Sequence, residues 1–152
     1  SLGSDYKVNG SGLGGAFVIP LISSVTSDSQ IESAIVGVFT PQPVPAGYLQ
    51  HVGARLALRP DSFRANVRQV NKLYPNVVML KERYLELTLP IEILHGTADT
   101  IVPINIHVRE IVKIVASVRV RELEGVGHMP HHVAPTETVD AISRAVARAG
   151  LR

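Results

Sequence analysis

The sequence has 152 residues, a formal net charge of +2 and no cysteine. Its length suits one domain, and its 45% apolar and 18% charged residues are typical of a globular chain. The absence of thiols excludes disulfides, thiolate metal sites and a cysteine nucleophile. Basic residues are scattered and no apolar run approaches the ~20 residues of a bilayer span, so we expect neither nucleic-acid nor membrane partners.

The N-terminal part of the chain is predicted to pass from an irregular segment into helices. Residues 1–15 are rich in glycine and serine, and we expect a flexible segment, a linker or an expression remnant. Residues 16–89 are predicted to form a helical region. Ser27 and Gln30 have the spacing of a capping box, which predicts a helix that begins here and continues to Phe39.

Proline residues divide the rest of this helical region. The stretch PQPVPAG at 41–47 ends the first helix, because proline lacks an amide donor and restricts the residue before it. Asp61, which follows Pro60, is a candidate N-cap. Further helical segments are predicted over 46–58, 61–73 and 75–85.

Residues 90–152 alternate between strand and helix patterns. Short β-branched or alternating runs predict strands at Ile91–Leu94 and Val118–Leu123. Apolar spacing predicts one helix from Ile104 and another from Pro135 to a stop at Gly150. The predicted buried stripes are Val108, Ile111, Val112 and Val115 in the first helix, and Val139, Ile142, Val146 and Ala149 in the second.

The order strand, helix, strand, helix predicts an α/β fold with parallel pairing and right-handed crossovers. Two strands are too few for a parallel sheet whose two faces must both be covered, so we expect residues 90–152 to be the end of a larger sheet. An unpaired strand edge also leads us to expect self-association, or association with a missing N-terminal half.

Two loops that follow the predicted strands carry polar residues. The acid loop, LHGTADTIVP at 94–103, contains Asp99, and the histidine loop, LEGVGHMPHH at 123–132, contains His128. Because parallel strands end at the same edge of a sheet, we expect these two side chains to lie together. A carboxylate there accepts the imidazole Nδ1 proton and stabilises the imidazolium that forms when Nε2 takes a proton.

These loops resemble the terminal motifs of the α/β-hydrolase fold family, through G-x-x-D-x-I-V-P after one strand and G-x-G-H-M-P-H-H after the next. The preceding stretches VFTPQPVPAGY and LALRP resemble the cap region of such enzymes. The resemblance covers about residues 35–151. It implies the C-terminal part of an α/β-hydrolase parallel sheet, preceded by helical cap elements over 16–89.

The resemblance also implies an activity. The family order is nucleophile, acid and histidine, so Asp99 and His128 correspond to the catalytic acid and histidine. The nucleophile belongs on an upstream G-x-S-x-G elbow, a pentapeptide that this sequence lacks. We expect the complete enzyme to hydrolyse a small-molecule ester or other acyl substrate, without metal or cofactor.

Several alternatives stay open at this point. A dehalogenase or epoxide-hydrolase variant would use an aspartate nucleophile. A non-catalytic partner-binding domain would keep the same loops as a scaffold, and an inactive truncated product would have no function of its own. The compartment is also left open, with the cytoplasm favoured.

The site residues have simpler structural interpretations as well. Asp99 fits an Asx turn, since aspartate commonly hydrogen-bonds to its own backbone, and His128 fits a turn cap. His95 is expected to lie in the turn at the end of its strand rather than to take part in chemistry.

The plausible metal ligands in these loops are Asp99, His128, His131 and His132. Pro130 is expected to break the helix that would align the His-x-x-His pair of His128 and His131, so no metal site is predicted. Some apolar residues of the cap region fit either a substrate pocket or the burial of one helix against another. These residues are Ile35, Val38, Phe39 and Leu49.

Overall fold

The computed structural model describes residues 26–151, so the segment predicted over 1–15 lies outside the described residues. Within the described range the fold is mixed α/β, with helices and two parallel strands. The chain divides into two compact units. The first contains the described residues up to Ala34 and Gly47–Lys81, and the second contains Ile35–Ala46 and the residues from Glu82 onward. No helix within 26–151 is both long and apolar enough to cross a bilayer.

Helix α1 (Asp28–Phe39) begins in the first unit and ends in the second. Its start is the predicted capping box. Ser27 N–H donates to Gln30 Oε1 at 2.8 Å, and Gln30 N–H donates to Ser27 Oγ at 3.3 Å. These bonds satisfy two amides at the helix N-terminus. The predicted end is confirmed too, because α1 stops at Phe39, before the proline-rich turn.

In the first unit, α2 (Tyr48–Val52) and a 3-10 helix (Ala54–Leu58) occupy the predicted segment 46–58. Gly53 separates them with a φ of 60°. This left-handed conformation is accessible to glycine without steric cost, so a single residue redirects the chain between two short helices.

Helix α3 (Pro60–Lys81) corrects the prediction of two segments at 61–73 and 75–85, because it is continuous and contains Pro75. An interior proline removes one amide donor and costs about 3 kcal/mol. The cost is local, since the helical turns before and after Pro75 keep their own hydrogen bonds. The predicted break is therefore wrong.

The N-cap prediction for Asp61 is also wrong, because α3 already begins at Pro60. Asp61 lies in the first turn, where a carboxylate interacts favourably with the helix N-terminus, and it binds Arg64 at 2.9 Å. A 3-10 helix (Glu82–Glu86) follows α3 and belongs to the second unit.

The second unit contains the sheet. Strands β1 (Ile91–Gly96) and β2 (Val118–Leu123) pair in parallel over all 6 residues of each. The parallel pairing and the bounds of β2 are confirmed. β1 extends past the predicted end at Leu94, because His95 and Gly96 continue the ladder. The chain consequently leaves both strands at the same edge of the sheet.

Helix α4 (Val108–Ile114) joins the two strands and starts later than the predicted Ile104, since a turn occupies residues 104–107. Val108 and Val115 of the predicted stripe are buried, whereas Val112 is 44% exposed. The predicted stripe of α4 is therefore buried only in part.

A short helix α5 (Pro130–Val133) is followed by α6 (Pro135–Arg148), the last helix of the described residues. A positive φ of 68° at Gly150 provides the predicted stop. The predicted buried stripe is wrong, because Val139 and Ile142 are each 60% exposed while Ala141 is buried.

Ion pairs explain which face of α6 contacts the sheet. Arg144 Nε and Arg148 Nη1 bind the Glu92 carboxylate of β1 at 3.2 and 2.5 Å. Arg148 also donates to the carbonyl oxygens of Ile91 and Ser117, at 3.2 and 2.6 Å. The arginine face therefore lies against β1, and the apolar stripe is left exposed.

The division into units differs from the sequence-based boundary at residue 90. Ile35–Ala46 belong with the second unit, because Phe39 and Gln42 contact the histidine loop. Phe39 is 1% exposed, and its ring centroid lies 5.6 Å from that of His132.

Candidate active site

The acid loop and the histidine loop are hydrogen-bonded to each other where they leave the strands. Ala98 N–H donates to the Val126 carbonyl oxygen at 2.9 Å, and Gly125 N–H donates to Thr97 Oγ1 at 2.8 Å. A side chain at Gly96 would not fit, since its Cβ would lie 2.1 Å from the Val126 carbonyl oxygen. This close approach brings the two predicted site residues together.

Asp99 uses its two carboxylate oxygens for different contacts. Oδ1 accepts hydrogen bonds from the backbone N–H groups of Ile101 and Val102, both at 2.9 Å. Oδ2 lies 2.9 Å from Nδ1 of His128. Asp99 therefore forms an Asx turn and pairs with the histidine at the same time, so these two interpretations are not alternatives.

The environment of Asp99 favours its ionised form. The side chain is 5% exposed, and burial, the largest influence, raises its pKa. The hydrogen bonds from Val102, His128 and Ile101, with the charge of the imidazole, together outweigh burial. The pKa of Asp99 consequently lies below its ordinary range. At neutral pH the group is a hydrogen-bond acceptor.

His128 is oriented by this carboxylate. An ionised carboxylate only accepts, so the contact at 2.9 Å requires the proton on Nδ1. In the neutral ring, Nε2 is then the basic nitrogen. The side chain is 33% exposed, which leaves the ring accessible from solvent.

A pocket of about 170 Å³ adjoins the pair. It is lined by Leu94, His95, Gly96, Asp99, Val102, His128 and Pro130. None of these residues carries a hydroxyl or a thiol, so the lining formed by residues 26–151 supplies no serine, threonine or cysteine nucleophile. The arrangement provides a base and the acid that orients it, which are two of the three groups of a hydrolytic triad.

His95 lies inside β1, one residue before its end, rather than in the predicted turn, because the ladder with β2 continues to Gly96. Its Nδ1 is 2.8 Å from the Gly96 carbonyl oxygen, and its Nε2 is 3.0 Å from the Val102 carbonyl oxygen. The distance from Nε2 to Asp99 Oδ2 is 3.7 Å, too long for a direct hydrogen bond. His95 therefore contacts the backbone of the acid loop rather than its carboxylate.

His131 and His132 lie on the short helix α5 (Pro130–Val133). The helix begins at Pro130, since proline is tolerated at the first helical position, so His128 lies outside it. The prediction that no helix aligns the His-x-x-His pair of His128 and His131 is confirmed. Desolvation, and then the charges of His132 and His128, lower the pKa of His131. Within the part of the chain that the structure describes, no cluster of three or more His, Cys, Asp or Glu is arranged to hold a metal ion.

Two side chains that were not predicted as site residues hold the histidine loop. Gln42 hydrogen-bonds to the backbone of Gly125 and Gly127, and Thr97 accepts a hydrogen bond from Gly125. Thr97 is an unspecified position of the acid-loop motif, Gln42 lies in the proline-rich stretch, and neither belongs to a periodic stripe. The one local signal is the proline on each side of Gln42, which indicates a rigid turn.

The apolar residues singled out in the cap region do not line the pocket beside the acid loop. Phe39 is buried in the second unit, and Ile35 and Val38 are half-buried. Leu49 lines a separate cavity of the first unit, with a volume of about 370 Å³. For the candidate active site, the substrate-pocket interpretation of these residues is therefore not supported.

No protein family, curated protein or solved structure matches this chain. Its function must therefore be inferred from its own residues and their geometry.

Proposed function

We propose that this chain is the C-terminal portion of an α/β-hydrolase, in which Asp99 is the acid and His128 the histidine of a catalytic triad. The observation that carries the proposal is the 2.9 Å contact between Asp99 Oδ2 and His128 Nδ1. The contact lies beyond the carboxyl ends of two parallel strands, where open parallel sheets carry their catalytic groups. The order of acid before histidine along the chain also agrees with this family.

The small sheet is consistent with the same proposal. Among residues 26–151, β1 pairs with β2 alone. Parallel sheets usually contain more strands and are covered on both faces. We assign β1 and β2 to the end of a larger parallel sheet whose other strands lie outside this sequence, with the helices up to residue 89 as cap elements.

The chemistry that this pair supports is acyl transfer, first to a nucleophile outside this chain and then to water. His128 Nε2 takes the nucleophile's proton as the nucleophile's oxygen bonds to the substrate carbonyl carbon. Asp99 stabilises the imidazolium, which then gives its proton to the leaving group as the bond to that group breaks. Water activated by His128 next cleaves the acyl-enzyme, and the acid product is released. The substrate is a small-molecule ester or other acyl compound.

An aspartate nucleophile gives a related reaction. In the dehalogenase form the carboxylate displaces halide from the substrate carbon, and in the epoxide-hydrolase form it opens the epoxide C–O bond, whose oxygen takes a proton from water. His128 then activates the water that hydrolyses the resulting ester, which releases the alcohol and restores the carboxylate. The role of Asp99 toward His128 is the same in both forms.

The test begins with the reading frame that encodes this chain. We expect its upstream extension to contain a nucleophile elbow, G-x-S-x-G or the aspartate equivalent. In the complete protein, His128→Ala should lower kcat on an activated ester by about 10³-fold or more. Asp99→Asn should also lower kcat by several orders of magnitude, because it offers the imidazole the wrong partner. His131→Ala is the neighbouring control and should change kcat little.

The chain by itself provides a second test. Without a nucleophile, a fluorophosphonate probe should leave all its serines unlabelled. Stoichiometric labelling of a serine in this chain would overturn the proposal. So would a zinc-dependent activity that His131→Ala damages as severely as His128→Ala. An upstream reading frame without an elbow would instead favour the second candidate function.

That second candidate is a partner-binding module, and the exposed face of α6 favours it. Val139 and Ile142 are 60% exposed and Val146 is 38% exposed, at the spacing of one helix face. Contiguous apolar surface of this kind marks interaction sites. If binding is the function, Asp99→Asn should leave partner capture intact, whereas Ile142→Lys should abolish it.

A further inference from the structure

The side chain of Gln42 makes a two-sided contact with the backbone of the histidine loop. Its Nε2 donates to the Gly125 carbonyl oxygen at 2.7 Å, and its Oε1 accepts from Gly127 N–H at 2.9 Å. The carboxamide fits in one orientation only. If it were reversed, its NH₂ group would face the Gly127 N–H and its oxygen would face the Gly125 carbonyl oxygen, so that donor would meet donor and acceptor would meet acceptor. Gln42 therefore binds the loop as a strand binds its neighbour, through one donor and one acceptor.

The residues just before Gln42 touch the same loop. A Cβ on Gly127 would lie 2.2 Å from the Thr40 carbonyl oxygen, so the two backbones are in close contact there. Phe39 is almost fully buried, and its ring lies 5.6 Å from that of His132. We call residues 39–42 the brace.

The histidine loop needs such support. Gly125 has a φ of 68°, and two glycines within three residues give this backbone much conformational freedom. The backbone of the histidine loop is hydrogen-bonded to the acid loop at Gly125 and Val126. The hydrogen bond to Gly127 N–H, one residue before His128, comes from Gln42 in the brace.

We propose that Gln42 is a positioning residue for His128. By fixing the backbone at Gly125 and Gly127, it holds the imidazole where Nδ1 meets Asp99 Oδ2 at 2.9 Å. The catalytic consequence rests on the proposed function, whereas the positioning itself is a property of this chain. Two hydrogen bonds of ordinary strength shift a conformational equilibrium by roughly 10- to 100-fold.

NMR on the whole chain with ¹⁵N-labelled histidine tests this role. Long-range ¹H–¹⁵N spectra distinguish the Nδ1–H from the Nε2–H tautomer of neutral His128, and we expect the Nδ1–H form. Gln42→Met keeps the length of the side chain but makes neither hydrogen bond. It should give mixed tautomers and about 10-fold or faster hydrogen exchange at the Gly127 amide. Gln69→Ala, on an exposed position of α3, should change neither signal.

A Gln42→Met chain with the unchanged tautomer and unchanged Gly127 exchange overturns the proposal. Exchange at the β1 and β2 amides shows whether the variant stays folded. If it does not, the unsubstituted chain decides, because the Gly127 amide that donates to Gln42 must be protected from solvent exchange, and its free exchange refutes the role. If His128→Ala leaves turnover of the complete protein unchanged while Gln42→Met shifts the tautomer, the proposed function fails and the positioning role stands.

Discussion

Replacing Glu92 with glutamine should destabilise the second unit, because Glu92 joins α6 to β1. The carboxylate is 7% exposed and accepts from Arg148 at 2.5 Å and from Arg144 at 3.2 Å. Each hydrogen bond to a charged group contributes about 1.5–3 kcal/mol. The arginines remain 37% and 22% exposed and are rehydrated in part, so we expect a loss of about 2–4 kcal/mol. Against a domain stability of about 5–15 kcal/mol, such a loss is large.

The effect should depend on pH in a defined direction. Burial is the largest influence on the pKa of Glu92 and raises it, but the hydrogen bonds and charges of Arg148 and Arg144 outweigh burial. The pKa is therefore lower in the folded chain than in the unfolded chain. A depressed pKa stabilises fully above the unfolded value of about 4.3, and this stabilisation is lost as the pH falls through the folded value. The stability difference between the unsubstituted chain and the Glu92→Gln variant should thus be largest near neutral pH and shrink in acid.

Hydrogen exchange at the amides of β1 and β2 measures this difference in the unit that contains Glu92. Glu110→Gln is the matched control, because Glu110 is 57% exposed and forms an ordinary surface pair with Lys113. It should cost little at any pH. A Glu92→Gln penalty no greater than the control, or one that persists undiminished far below pH 4, would refute the reasoning.

Three further substitutions test other contacts. Gly127→Ala should cost about 1–3 kcal/mol, because its Cβ would lie 2.2 Å from a backbone oxygen; unchanged urea unfolding contradicts this. Ser27→Ala should cost about 1 kcal/mol by removing the capping box, seen as faster amide exchange in the first turn of α1; equal exchange rates count against it. Ile142→Lys should reduce self-association, measured by light scattering across a concentration series, since Ile142 is 60% exposed. The same concentration dependence of the average mass in both proteins would contradict this.

Local signals in the sequence predict the element boundaries that depend on neighbouring residues. The capping box of Ser27 and Gln30 sets the start of α1, and the alternation of Val118–Leu123 sets β2. The proximity of Asp99 and His128 is predictable for a topological reason, since parallel strands end at the same edge of a sheet.

Features that depend on distant partners could not be predicted in this way. Apolar spacing shows which residues share a face of α6, but the face that meets β1 is decided by Arg144 and Arg148 binding Glu92. Gln42 is 83 residues from its partner Gly125, and no periodicity or motif connects the two. Pro75 is likewise tolerated inside α3 because the helical turns before and after it keep their own hydrogen bonds, which a local proline rule does not take into account.

The two contacts of Asp99 offer a way to separate catalysis from folding. In Asp99→Asn, the remaining oxygen can still accept from the Ile101 and Val102 amides and keep the Asx turn. The new amide nitrogen faces His128 Nδ1 as a donor, so it selects the tautomer with the proton on Nε2. Nε2 then has no free lone pair with which to accept a proton from the nucleophile. We therefore expect the variant to lose at most about 1–2 kcal/mol of stability and yet nearly all hydrolytic activity in the complete protein. If the chain is instead a partner-binding module, Asp99→Asn should leave partner capture intact, because the exposed face of α6 lies outside these contacts. If the complete protein with Asp99→Asn keeps wild-type turnover, the triad is excluded, whatever the stability of the variant.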